Sequence, residues 1–259
     1  MRKALLLLLP LSIIAVACGD DNGDVTQPAD RVTTTVVSGT TPAPETTRAP
    51  DTTAAGELAS GPVVLENDAG DTVTLDAPAE RIVVLEWDFA EHLLALGVTP
   101  VGVADAAGYG NWLASELPAD VTDVGTRQEP SLESIAALDP DLIIGVDFRH
   151  AANLEQFEAI APTLLFTVYP PPSAGGELEA MRDAVVTLGD AIGDPAAAAD
   201  VLADLDAHLA DAAQRLSDAD LAGAEIALAQ GFSSEGAPQI RMFTDNARAV
   251  ELLEQVGLV

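Results

Sequence analysis

The chain has little positive charge and almost no cysteine. Lysine and arginine together number 11 against 42 aspartates and glutamates, so the formal net charge is −31 over 259 residues. A surface this acidic argues against nucleic acid or an anionic membrane surface as a partner, because both carry like charge. The single cysteine, Cys18, rules out an intramolecular disulfide. Because positive charges are so few against this acidic background, the position of each arginine is informative about function.

The position of Cys18 indicates a processing signal. Met1–Lys3 is positively charged, and Ala4–Val16 is almost wholly apolar but too short to span a membrane. Small residues, Ala15–Ala17, then precede the cysteine. The arrangement resembles a bacterial lipoprotein signal, in which Cys18 becomes the lipidated first residue on the extracytoplasmic face of the cell membrane. An ordinary secretory peptide cut near Ala17 is the alternative.

Composition and periodicity divide the rest of the chain. After the signal at 1–18, residues 19–60 are rich in Thr and Pro and predict a disordered tether. Residues 61–172 alternate short apolar runs with helical patterns, which predicts an N-terminal α/β lobe. Two helices follow in 176–217 as a helical spine. Residues 221–259 begin a second α/β lobe, and we expect that lobe to be incomplete, since pieces below about 40 residues rarely fold alone.

Two apolar runs predict parallel strands of the first lobe. Arg81–Leu85 and Leu142–Val146 are short and continuous, as in strands buried on both faces. The predicted N-caps are Asp88 for the helix after Arg81–Leu85, Ser131 for the helix before Leu142–Val146, and Asp194 for the long spine helix. Residues 105–124 are predicted to be a loop. Further strands are expected at 225–229 and 239–243.

Polar and aromatic side chains follow these strands. Ligands of open α/β sheets bind outside the carboxyl ends of the strands, and the guanidinium groups of Arg127 and Arg149 match carboxylates in two-point geometry. The predicted ligand-binding set is Glu86, Trp87, Tyr109, Arg127, Arg149, His150 and Arg241. The alternatives stay open: the arginines could pair with nearby Asp123, Glu129 or Asp147, and Trp87 could belong to the core.

One stretch also carries a family resemblance. Gly125–Glu133 (GTRQEPSLE), Pro140–Ile144 (PDLII) and Arg149-His150 resemble the iron(III)-dicitrate-type branch of the ferric-siderophore substrate-binding proteins of ABC importers. The resemblance implies two Rossmann-like parallel-sheet lobes joined by a long α-helix. It also implies a ferric chelate as ligand, held without an intrinsic cofactor and without direct metal ligation by the protein.

The same resemblance implies partners. Glu133 matches a glutamate that docks on the membrane permease, so we expect a permease and its ATPase as partners of a monomeric binding protein. Arg241 would reach the cleft from the second lobe. The chelator itself stays open between ferric citrate, hydroxamates and catecholates.

Enzymatic signatures are missing from the sequence. No nucleophile elbow, dinucleotide fingerprint or zinc-type histidine spacing is present, and Lys3 is the only lysine. The sequence therefore favours a binding protein over an enzyme. A corrinoid or haem ligand on the same fold, a non-transport enzyme on a related two-lobe fold, and an adhesion module on a stalk remain as alternatives.

Overall fold

The computed structural model describes residues 61–66, 72–171, 173–234 and 237–259. Nine strands are present in this part: β1 Val63–Glu66, β2 Thr72–Leu75, β3 Ile82–Val84, β4 Gly102–Val103, β5 Thr122–Asp123, β6 Leu142–Val146, β7 Thr163–Phe166, β8 Ala229–Ser234 and β9 Ala237–Met242. Eight α-helices accompany them: α1 Trp87–Ala95, α2 Ala106–Trp112, α3 Leu132–Ala137, α4 Asp147–His150, α5 Leu154–Glu158, α6 Glu177–Ala191, α7 Pro195–Asp218 and α8 Arg248–Gln255. A 3-10 turn, Ala151–Asn153, joins α4 to α5.

A parallel sheet of order β5-β4-β3-β6-β7 forms the centre, which confirms the α/β class. All five residues of β6 are buried, and they alternate between two core layers. Ile144 contributes to the layer that includes α1 and α6, and Ile143 to the layer that includes α3 and α5. Burial on both faces explains why β6 is a continuous apolar run.

Helix starts follow local side-chain chemistry in two predicted places. The Ser131 hydroxyl accepts a hydrogen bond from the backbone of Ser134 at 3.2 Å, and Asp194 accepts from Ala197 at 2.9 Å. Both N-caps are confirmed. Asp88 as the cap of α1 is wrong, because the helix begins at Trp87 and its N-cap position is Glu86, with no side-chain capping bond. Asp88 instead lies in the first turn.

The predicted loop at 105–124 contains two regular elements, α2 and β5. Asp105 starts α2 with a left-handed backbone (φ 55°) and accepts a hydrogen bond from Gly108 N at 3.1 Å. An Asx-type cap of this kind carries little hydrophobic periodicity, so the sequence pattern missed it.

The long helix α7 has 24 residues and spans about 36 Å at ~1.5 Å per residue. It packs along α6 and against α8. Beyond it, β8 and β9 form an antiparallel hairpin, followed by α8. The strand expected at 225–229 is wrong by about one strand length, since β8 begins at Ala229. The strand expected at 239–243 overlaps β9.

The predicted lipidation signal at 1–18 with Cys18, and the predicted tether at 19–60, lie outside the described residues. Within the described part, none of the helices combines the length and the apolar character that crossing a membrane would take.

Candidate functional site

The strand order creates a crevice at one edge of the parallel sheet. β3 and β6 are adjacent, and the chain runs from β3 to β4 and β5 on one side and from β6 to β7 on the other. Such a change of direction opens a crevice at the carboxyl ends of the two strands. Glu86 follows β3, and Arg149 lies in the helix α4 that directly follows β6.

Glu86 is the centre of the polar cluster in this crevice. Its Oε2 accepts a hydrogen bond from Arg127 Nη1 at 3.0 Å, and its Oε1 accepts from Arg149 Nε at 2.5 Å. The residue is only 8% exposed, so it forms partly buried charge-assisted bonds with both arginines. Both arginines therefore pair with Glu86, itself a predicted site residue, rather than with Asp123, Glu129 or Asp147, the acids nearer to them in the sequence.

Trp87 holds Arg127 from a second side. The guanidinium carbon of Arg127 lies 3.7 Å from the centroid of the Trp87 ring, a cation–π contact. The indole nitrogen donates to the carbonyl oxygens of Ala104 and Asp105 at 3.1 and 3.0 Å, which fixes the ring plane. Arg127 Nε is buried without a hydrogen-bond partner, and its closest acid is Asp105 Oδ2 at 4.0 Å.

His150 positions Arg127 from beneath the surface. The imidazole is 1% exposed; Nδ1 accepts from Val146 N at 3.0 Å, so Nε2 carries the proton and donates to the Arg127 carbonyl oxygen at 2.9 Å. Burial lowers the pKa of His150, which keeps the ring neutral. Contact of its side chain with a ligand is therefore a wrong expectation: the ring is buried and both nitrogens are engaged.

Two glycines make this geometry possible. A Cβ at Gly145 would lie 2.8 Å from His150 Nδ1, so only glycine leaves room for the imidazole. Gly125 has φ +100°, a left-handed backbone that turns the chain after β5 and brings Arg127 back towards β3.

Two predicted site residues lie elsewhere. Tyr109 is fully buried in the core, and its hydroxyl is hydrogen bonded to Ser115, so placing it in contact with a ligand is wrong. Arg241 lies on the exposed strand β9, with its guanidinium carbon 5.6 Å from the Phe232 ring centroid. It takes no part in the Glu86 cluster.

Sequence reasoning missed a third arginine, Arg248. Its Nη1 donates to Asp88 Oδ2 at 2.9 Å, and its Nε is buried without a hydrogen-bond partner. His92 packs against this pair, and its Nδ1 is also buried without a hydrogen-bond partner. The pKa of His92 is lowered to about 4, mainly by burial; the charge of Asp88 raises this pKa and the charge of Arg248 lowers it. The feature that could have identified Arg248 is its position at the start of α8, because a positive charge at a helix N-terminus opposes the helix dipole.

A cavity of about 290 Å³ lies beside Arg248. Its lining comes from α1, from the chain after β7, from the start of α6 and from the chain beyond α7, and includes Asp88, Val168, Tyr169, Glu177, Phe243 and Arg248. Tyr169 is 65% exposed, and its ring centroid is 5.4 Å from that of Phe148, which is 56% exposed. This aromatic pair extends from the cavity towards Arg149, whose guanidinium carbon is 5.0 Å from the Phe148 ring.

Glu133 lies in the first turn of α3, exposed to solvent, where an acid favours the helix dipole. Within the described ranges, no group of three or more His, Cys, Asp or Glu residues could hold a metal ion. The cluster around Glu86 offers the guanidinium donors of two arginines, the aromatic face of Trp87 and a carboxylate. These groups can bind a polar ligand.

Comparisons with known proteins give a consistent result. A family model described as periplasmic binding protein matches residues 82–259. The putative ABC transporter substrate-binding lipoprotein YhfQ of Bacillus subtilis is 31% identical over 198 residues, which cover 74% of this chain and 50% of that protein. The Fe(3+) dicitrate-binding periplasmic protein FecB of Escherichia coli is 46% identical over 101 residues, covering 38% of this chain and 33% of FecB.

A solved structure matches over a comparable range. The siderophore-binding protein FhuD of Vibrio cholerae, crystallised with Fe3+-Desferal, superposes with a TM-score of 0.62 at 30% identity. The match covers 69% of this chain and 66% of the FhuD chain. The chain thus spans half or less of the length of the two curated relatives named above.

Proposed function

The chain belongs to the periplasmic binding protein family, and on that premise we propose that it captures a ferric chelate, such as ferric citrate or another siderophore, for an ABC importer. The cluster of Glu86, Trp87, Arg127 and Arg149 at the carboxyl edge of the sheet is the observation that carries this proposal. It lies at the switch of strand order, where ligands of open α/β sheets bind.

The cluster keeps donors for a ligand. Arg127 uses Nη1 for Glu86 and Arg149 uses Nε, so other N–H groups of both guanidinium forks remain for oxygen atoms of a chelator. Glu86 and the Trp87 ring hold the Arg127 side chain in place before a ligand arrives. A pre-organised donor set loses less conformational entropy on binding.

The relatives support an iron chelate as the ligand class. FecB is named for binding Fe(3+) dicitrate, and the FhuD structure contains Fe3+-Desferal. In both ligands the chelator surrounds the iron. A protein that holds such a ligand needs contacts to the chelator, and the cluster described above supplies contacts of this kind. Binding rather than catalysis is the role proposed, since the cluster contains no nucleophile paired with a general base.

Delivery to a permease and its ATPase is the second part of the proposal. Glu133 is exposed on α3 and would form an ion pair with a basic side chain of the permease. Exposed pairs of this type guide encounter more than they add affinity. Lipidation at Cys18 would keep the protein at the extracytoplasmic membrane face, as a monomer tethered by residues 19–60.

Ligand titration of the whole protein tests the binding step. Trp87 lies against Arg127, so its fluorescence should be quenched when a ferric chelate binds. We expect Arg127→Ala plus Arg149→Ala to weaken binding by about 100-fold, the effect of losing interface hot spots. The control is Arg215→Ala, which removes an exposed arginine on α7.

Absence of quenching by ferric citrate, ferric hydroxamate and ferric catecholate chelates would contradict the proposal. Tight binding of cobalamin or haem that survives the double substitution would favour a corrinoid or haem carrier instead.

Iron uptake by cells tests the delivery step. Glu133→Ala should lower uptake severalfold while leaving chelate affinity unchanged. Glu155→Ala is a matched control, because Glu155 is also an exposed acid in the first turn of a short helix. Equal uptake by both variants would remove Glu133 from the permease contact.

A further inference from the structure

Each arginine that lines the crevice or the adjoining cavity is paired with a carboxylate of the chain itself. Arg127 and Arg149 share Glu86, and Arg248 is bound to Asp88. The positive charge that the sequence places at the ligand edge is therefore balanced inside the fold.

The charges around Glu86 sum to no excess of positive charge. Two guanidinium groups, those of Arg127 and Arg149, lie within 4.0 Å of carboxylate oxygens from two acids, Glu86 and Asp105. Glu86 is nearly buried, so solvent screens its interactions weakly. An anionic ligand would have to compete with a carboxylate already held in place.

The cavity beside Arg248 is acidic. Asp88 Oδ2 accepts from Arg248 Nη1 at 2.9 Å, and Glu177 Oε2 accepts from the Arg248 backbone nitrogen at 3.1 Å. The lining of this cavity thus contains two carboxylates, those of Asp88 and Glu177, and one guanidinium, that of Arg248. A ligand group with negative charge is disfavoured here, whereas a neutral or ammonium group is accommodated.

The surface between the two arginine sites is aromatic. The rings of Phe148 and Tyr169 are both more than half exposed and lie in contact, 5.4 Å apart between centroids. Exposed aromatic surface binds apolar ligand faces, and the aromatic content of this chain is only 4%. The net charge of −31 further slows the approach of any anion.

We infer that the ligand is a ferric chelate of the hydroxamate class, without net negative charge, and that Glu86 sets this preference. The inference rests on the proposed function and narrows it. Three monoanionic hydroxamates neutralise Fe3+, whereas dicitrate and tricatecholate complexes of Fe3+ are multiply anionic. The neutral complex also presents aliphatic linkers that suit the Phe148–Tyr169 surface.

Titration of the whole protein with chelates of different charge tests this inference. The probes are ferric desferrioxamine B, its N-acetylated neutral form, ferric dicitrate and a ferric tricatecholate, measured by Trp quenching and calorimetry at low salt. We expect the two hydroxamate chelates to bind at least about tenfold more tightly than either anion. Tighter or equal binding of an anionic chelate would overturn the inference while leaving the proposed function intact. Failure of every chelate to bind would overturn both.

A charge-neutralising variant sharpens the test. Glu86→Gln keeps the shape of the side chain and removes its charge, so the hydroxamate-to-dicitrate affinity ratio should fall by about tenfold. Glu129→Gln removes the same charge from an exposed site near Arg127 and should leave the ratio within about twofold. An unchanged ratio in a folded Glu86→Gln protein would refute Glu86 as the determinant of ligand charge. Circular dichroism checks the fold of both variants.

Discussion

Strands β6 and β9 are similar in length but differ completely in burial. Every residue of β6, Leu142–Val146, is buried, whereas every residue of β9, Ala237–Met242, is exposed. β6 has a strand on each side and a helical layer on each face, while in the described part of the chain β9 pairs with β8 alone. A strand enclosed in this way must be apolar along its length, so its position is encoded plainly in the sequence. A strand in a two-stranded hairpin has no such constraint.

The candidate site follows the same division. Glu86 and Arg149 follow the enclosed parallel strands β3 and β6, whose backbone fixes where each side chain starts, and Arg127 follows the edge strand β5 of the same sheet. Arg241 lies on the exposed hairpin and takes no part in their hydrogen bonds. The predictions below test this contrast, beginning with the largest expected effect.

Removing a side chain from the enclosed sheet should cost far more stability than removing one from the hairpin. Ile144→Ala creates a cavity in a fully buried layer and should lower the free energy of unfolding by about 3 kcal/mol. Ile240→Ala, at a side chain 74% exposed, should change it by less than about 0.5 kcal/mol. Urea denaturation followed by circular dichroism measures both. Equal losses would show that the hairpin is covered in solution.

Acidification should weaken the junction at which α1 meets α8. The pKa of His92 is lowered to about 4, so the unfolded chain takes up this proton first as pH falls below about 6.5. The free energy of unfolding should therefore decrease between pH 7 and 5, by about 1.5 kcal/mol for this group after allowance for solvent at its partly exposed ring. Burial lowers the pKa of His150 too, so its contribution has the same sign.

His92→Leu should flatten that pH dependence. His208→Leu is the matched control, because His208 is exposed on α7 and should leave the slope as in the original protein. If the two variants show the same slope, His92 is not the titrating group. Denaturation midpoints at several pH values between 5 and 7 provide the comparison.

The ion pair between Asp88 of α1 and Arg248 of α8 should have the smallest effect. Arg248→Met keeps most of the side-chain packing but leaves Asp88 unpaired, so stability should fall by about 1 kcal/mol. Arg215→Met breaks the exposed Arg215–Asp211 pair on α7 and should change stability by less than about 0.3 kcal/mol. Thermal denaturation at low and high salt distinguishes them. A larger loss from Arg215→Met would contradict this ranking.

Local chemistry allowed much of the fold to be predicted. Ser131 and Asp194 cap the predicted helices because each cap involves only residues three positions apart. β3 and β6 are where their apolar runs indicated. The helix α2 was missed because its start depends on the left-handed backbone of Asp105, which has no periodic signal.

The candidate site was predictable only as a set of residue types near one edge of the sheet. Their partners are far apart in sequence: Arg127 and Arg149 lie 41 and 63 positions from Glu86, and Arg248 lies 160 positions from Asp88. No local sequence pattern predicts that Glu86 forms hydrogen bonds with two arginines, or that His150 and Tyr109 are buried.

The sequence by itself determined the central strands β3 and β6, the capped helices α3 and α7, and the presence of arginines at the carboxyl edge, because periodicity, capping and strand ends act over a few residues. Only the tertiary structure decided which charges neutralise one another and which side chains reach the surface. Those outcomes depend on how distant segments cross, and the crossing is fixed by packing on both faces of the sheet.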